Sequence, residues 1–152
     1  MEGGIRIMTE IPVEVKAWAA GFWEGEGSVT IFKRASRKRC LGFSHKLRCT
    51  AGQRKPAPLE ILRENWGGSI HYRDKKCHAW TISSASAARF LRDIRPHLRF
   101  RGEQAGIALE FSQTMGDSNQ LVTQSKFNLR DELREKLLTL NGYYRRKYGR
   151  ED

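Results

Sequence analysis

Cysteine is scarce in this chain. Cys40, Cys49 and Cys77 are odd in number and widely spaced, with no C-x-x-C pair, which argues against a disulfide framework and against a structural zinc site. Long apolar runs are missing too. No stretch approaches the roughly 18 to 20 residues of a membrane span, and the N-terminus lacks the apolar core of a signal peptide. Reduced thiols in an intracellular protein with no membrane partner are the expectation. Acid is also in short supply: 17 Asp and Glu stand against 28 Lys and Arg, a net charge of +11. The usual partner of such a surface is nucleic acid or an anionic membrane.

What is present narrows that choice. The 152 residues, 39% of them hydrophobic, suffice for one domain with a full core. We read residues 1–152 as that domain, with a core over about 10–115 and a helical extension over about 125–152. Between Ser28 and Lys55 there are nine basic residues (Lys33, Arg34, Arg37, Lys38, Arg39, Lys46, Arg48, Arg54 and Lys55) and no acid. The segment alternates like strands. A basic sheet suits a nucleic-acid groove, whereas a membrane surface calls for a basic amphipathic helix. The bland alternative is a solvated face that keeps the protein soluble.

Thr9 to Gly27, TEIPVEVKAWAAGFWEGEG, has the least ordinary chemistry. Pro12 suits a first helical turn and Glu14 complements the positive end of the dipole, so a helix is predicted to about Glu24. Val15, Trp18 and Phe22 form an apolar stripe expected to anchor it in the core. Ala17, Ala20 and Gly21 form a second stripe almost without side chains. A glycine inside a helix costs about 1 kcal/mol against alanine, which suggests a close approach at Gly21. Glu24 and Glu26 sit at the negative pole, where carboxylates are disfavoured and a nearby cation is needed. A core helix with a chance glycine-rich cap is the competing reading.

Downstream, Ser28 to Arg34 and Leu41 to Thr50 alternate as two strands of a hairpin, with Phe32 an exception on the polar side. Pro58 to Trp66 has helical spacing and ends at Gly67–Gly68. Ser69 to Arg73 and Cys77 to Ile82 make a second hairpin, with Ile70, Tyr72, Trp80 and Ile82 core-facing and His71, Arg73 and Lys75 opposite. Helices follow after Ser84 and Gly102, separated by Pro96. A last helix is read from Asn128 to a stop at Asn141–Gly142, followed by a basic aromatic tail. The fold class is therefore α+β, in the order α-β-β-α-β-β-α, with one four-stranded antiparallel sheet and a C-terminal helical tail. His71 and His78 are given no catalytic role.

Ala19 to Gly27, AAGFWEGEG, resembles the LAGLIDADG motif of homing endonucleases. The Ala-Gly pair, the bulky Phe22–Trp23 and the acid-small-acid-Gly ending all occur in register, and a strand follows. Ala19 stands where the motif has Leu. Only one motif is present, so the resemblance is to the single-motif subclass, whose members work as homodimers. It implies a site-specific double-stranded DNA endonuclease with Ala17, Ala20, Gly21 and Glu24 at the subunit interface. Glu26 would be the divalent-metal ligand, with Gly25 adding its carbonyl. The implied cofactor is Mg²⁺, for which Mn²⁺ can substitute, with no small-molecule cofactor. Gln53 matches a residue that orders active-site water. Arg101 stands where relatives commonly have a lysine near the scissile phosphate, and an arginine holds its proton more tightly. Thr30, Arg34, Arg37, Lys38, Ser44, Lys46, Arg48, Lys55, Arg73 and Lys75 would contact DNA, on a pseudo-palindromic target. The alternative function is a non-cleaving nucleic-acid binder of the same fold, an RNA maturase or a DNA-binding regulator.

Overall fold

A computed structural model describes residues 10–37, 41–74, 76–115 and 122–148. The first helix, α1 (Val13–Glu26), leads directly into β1 (Gly27–Ala35). Then come β2 (Phe43–Gln53), α2 (Ala57–Trp66), β3 (Ser69–Asp74), β4 (Cys77–Ser83), α3 (Ser84–Ile94), a short 3₁₀ turn (Arg95–His97), α4 (Gly102–Gln113) and α5 (Gln124–Tyr148). The four strands form one antiparallel sheet in the order β1-β2-β4-β3. That is the expected α+β arrangement with its helical tail.

Strand alternation splits the sheet into two unlike faces. Val29, Ile31, Leu47, Cys49, Ala51, Trp80 and Ile82 are buried against the helices. At the centre, Phe90 of α3 meets the rings of Trp23, Trp66 and Trp80 edge-on, at centroid distances of 6.2, 5.1 and 5.0 Å. Such pairs contribute about 0.5–1.5 kcal/mol each beyond their burial. Two of the indoles also donate hydrogen bonds, Trp66 Nε1 to Asp93 and Trp80 Nε1 to the Gly67 carbonyl, both at 2.8 Å. Cys49 and Cys77 are free thiols.

Four expectations need correcting. Tyr72 of β3, expected to face the core, is 61% exposed; the other three concern helices. First, α1 continues to Glu26 instead of ending near Glu24, so both motif acids lie in its last turn. Its buried residues are Ala19, Ala20 and Trp23, while Trp18 remains 38% exposed and stacks on Phe22 at 5.2 Å. Trp18 is therefore no core anchor. Second, Ala20 is 0% exposed in the single chain. It packs in the core of its own chain, so the expectation that it lines a subunit interface does not hold. Third, α5 begins four residues before Asn128 and passes through Asn141–Gly142. Thr123 Oγ1 accepts from the Lys126 backbone N–H at 3.3 Å, the bond of an N-cap. Asn141 donates its amide to the Val29 carbonyl at 3.0 Å, pinning the helix to the edge strand β1 instead of stopping it.

Candidate functional site

The C-terminal end of α1 gathers the most chemistry. The half-buried carboxylate of Glu24 accepts three backbone N–H groups, from Arg99 (2.8 Å), Phe100 (2.5 Å) and Arg101 (2.9 Å). The turn before α4 is thus folded around one side chain. Arg101, the residue preceding α4, returns its guanidinium to α1, where it donates to the Gly27 carbonyl and lies 5.5 Å from the centroid of the Trp23 ring. A cation is thus placed at the negative end of the helix dipole, where it donates to a terminal carbonyl. Trp23 Nε1 is buried with no partner among the described residues, so Arg101 engages this indole through the ring face.

Gly27 is fixed by sterics. Its φ is −116°, open to any residue, but a Cβ would fall 2.3 Å from Trp23 Cδ1 and 2.7 Å from the Thr50 carbonyl oxygen. The closing glycine of the motif lets the indole pack under the helix-to-strand junction. Gly21 and Gly25 are different, both exposed with open space around them. With Ala17 they form an exposed small-residue stripe, flanked by Trp18.

Glu26 is exposed, and among the described residues its side chain has no hydrogen bond or ion pair. An uncompensated carboxylate at a helix C-terminus is a ready ligand for an added cation. Among the described residues no cluster of three or more His, Cys, Asp or Glu could hold a metal. A hard divalent ion at Glu26 would therefore find no cluster of carboxylate side chains among the described residues to complete its coordination.

Gln53 ends β2, two residues beyond Ala51, the partner of Gly27 in the register. This places it at the same end of the sheet as Glu26. Its Oε1 accepts from the Arg54 N–H at 2.9 Å. His78, its register partner on β4, lies 2.8 Å through Nδ1 from the Arg54 carbonyl. A carbonyl only accepts, so Nδ1 carries the proton. The Tyr72 ring meets the imidazole edge-on at 5.3 Å. The sequence offered no signal for His78, because the bond that gives it a role joins β4 to the connection after β2, 24 residues away.

The face opposite the core carries Thr30, Phe32 and Arg34 on β1 beside Arg48, Lys46 and Ser44 on β2, paired in that register. Arg73 lies at the far edge, on exposed β3. Arg37 and Lys55 are exposed in connections, and Lys38 and Lys75 lie outside the described residues. Lys33 departs from this outward-facing set. It shares the core-side parity of Val29 and Ile31, and its Nζ donates to Asp131 of α5 at 2.9 Å. His45, its register partner, reaches the same carboxylate at 2.7 Å with a side chain only 1% exposed. Burial pulls the His45 pKa below its ordinary value against the opposing pull of Asp131. Burial acts to raise Asp131, but hydrogen bonds from His45 and Lys33 outweigh it and hold the carboxyl below its ordinary value.

No family model and no curated protein matches the sequence. Solved structures do match. The homing endonuclease I-CvuI, in complex with the I-CreI target, superposes with a TM-score of 0.74 at 19% identity over 82% of this chain and 80% of that one. The archaeal intron-encoded homing endonuclease I-Vdi141I, complexed with DNA, gives 0.72 at 16% identity over 82% of each. The LAGLIDADG homing endonuclease I-SmaMI, bound to cleaved DNA, gives 0.68 at 19% identity over 82% of this chain and 43% of that one. The chain has the LAGLIDADG homing endonuclease fold.

Proposed function

We propose that this protein is a site-specific double-stranded DNA endonuclease that works as a homodimer and depends on a divalent metal. The observation that carries the reading is Glu26: an exposed carboxylate with no partner among the described residues, at a disfavoured helix end and adjoining a sheet face rich in cations. A pure binder has no use for an acid directed at a polyanion. The solved structures of the same fold that are complexed with DNA support the same conclusion.

The stripe of Ala17, Gly21 and Gly25 suits close approach of a second α1, and two copies would bring two Glu26 carboxylates to one axis. Glu26 and the Gly25 carbonyl of each copy, with phosphate oxygens and water, form an oxygen donor set that fits Mg²⁺ or Mn²⁺. Such an ion, when bound, supplies an acidified water and charge stabilisation for the leaving oxygen. The chain's own residues do the remainder. Glu24 fixes the 99–101 turn, and Arg101 holds a permanent positive charge at the junction, where it can bind phosphate but not donate a proton. Gln53, oriented by Arg54 and supported by His78, offers its amide N–H₂ to water or phosphate. Thr30, Arg34, Ser44, Lys46, Arg48 and Arg73 lie in the major groove.

The test is cleavage of a library of duplex sites with Mg²⁺ by wild type and Glu26→Gln. Wild type should cut both strands of a recovered site, and the variant should bind it and leave it intact. Tight, specific binding without nicking by wild type would refute the nuclease reading.

A further inference from the structure

Phe32 is anomalous on the basic face. It leaves 43% of its surface exposed among cations, and folding alone gives no reason to place a phenyl ring there. It is not bare, because the Arg48 guanidinium carbon lies 4.5 Å from its ring centroid. The two are diagonal neighbours: Phe32 pairs with Lys46, and Arg48 with Thr30. Arg48 Nε is buried with no hydrogen-bond partner among the described residues, so the terminal Nη1 and Nη2 groups form the fork available to a ligand. Stacking removes much of the arginine's rotamer freedom before any ligand arrives.

Resting on the reading of this face as a major-groove surface, we propose that Phe32 and Arg48 form one base-reading unit: Phe32 contacts the C5-methyl of a thymine while Arg48 donates to O6 and N7 of the guanine beside it. The chemistry of each partner is specific. In the major groove only thymine presents a methyl, and guanine offers two acceptors that match a guanidinium fork. The spacing fits, since the 4.5 Å between ring and guanidinium is near the rise of about 3.4 Å between successive base pairs. A phenyl ring desolvated by a methyl also recovers apolar burial that the free protein forgoes. Lys46, opposite Phe32, is left to the phosphates.

The experiment selects binding sites from a randomised duplex library with Ca²⁺ in place of Mg²⁺, using wild type, Phe32→Ser, Phe32→Leu and Arg48→Ala. Wild-type sites should carry a thymine next to a guanine in each half-site. Phe32→Ser should lose the thymine preference and weaken but not abolish the guanine preference, Phe32→Leu should keep the thymine preference, and Arg48→Ala should lose the guanine preference. Replacing that thymine by deoxyuridine, which removes only the methyl, should weaken wild type by about fourfold per half-site and leave Phe32→Ser unchanged. The proposal is overturned if deoxyuridine binds wild type as well as thymine does, or if Phe32→Ser keeps the thymine preference. Failure to enrich any site with wild type would overturn the endonuclease reading along with it, whereas enriched sites lacking the Phe32-dependent thymine would overturn this unit alone.

Discussion

Replacing Glu24 tests whether the turn before α4 is held by a single carboxylate. Glu24→Ala removes the acceptor of three backbone N–H groups at residues 99, 100 and 101. Hydrogen bonds to a charged group are worth about 1.5–3 kcal/mol each, but the Arg99 and Phe100 bonds are exposed and water replaces much of what they lose. Only the Arg101 N–H is part-buried. A net loss of about 2–4 kcal/mol follows, which for a chain of this size lowers Tm by about 6–12 °C. Glu24→Gln keeps one oxygen of the two and should recover about half of the loss. The assay is urea and thermal unfolding at two protein concentrations, so that a change in subunit association shows as concentration dependence. If Glu24→Ala unfolds within about 0.5 kcal/mol of wild type, the carboxylate is not what folds the turn. Loss of stability only at low concentration would relocate Glu24 to a subunit contact.

At Gly27, alanine should destabilise by about 1–3 kcal/mol or more, because Trp23 and the Thr50 carbonyl occupy the space. Gly25→Ala, in protein dilute enough to be monomeric, should instead leave unfolding unchanged or raise stability by up to about 1 kcal/mol, and equal effects at the two positions would contradict the packing described. In salt titrations, Lys46→Ala should reduce the log-log slope of DNA affinity by about 0.9, one phosphate's worth. Lys33→Ala should leave the slope unchanged, since Lys33 is held by Asp131 on the other face. His45 has a folded pKa below its unfolded value near 6.5, so the unfolded chain takes up the proton first. Its contribution is intact above about pH 6.5 and is lost as pH falls through the folded pKa, at no more than about 1.4 kcal/mol per pH unit. Urea midpoints measured between pH 7.5 and 5 should show this loss, and a His45→Phe variant with the same slope would assign it to another group. Asp131, also depressed, adds its own loss only as pH falls below its ordinary 3.8.

The stretches that could be read from sequence are those whose signals are local. Strand alternation in Ser28–Arg34 depends on neighbours two residues apart, and it placed Val29 and Ile31 inward and Thr30 and Arg34 outward correctly. The faces of α1 were harder. Val15–Trp18–Phe22 and Ala19–Ala20–Trp23 are both apolar at helical spacing, and only the position of Phe90, some 70 residues on, selects Trp23 for the core. Asn141–Gly142 resembled a helix stop because its decisive bond, to Val29, spans 112 residues. The same nonlocality hid His78 and Asp131.

The paired acids show why local chemistry can nevertheless find a site. Residues two apart on an α-helix point about 200° away from each other, so Glu24 and Glu26 cannot share one compensating partner at the end of α1. Backbone N–H groups from the turn before α4 satisfy Glu24, and the same turn brings Arg101 to the Gly27 carbonyl. Glu26 faces the opposite side and gains none of these bonds. In this chain the two carboxylates divide: Glu24 is committed to the fold, and Glu26 is exposed. Of the two, Glu26 is the acid left open to the cation we propose, and Glu24 is held by the 99–101 turn.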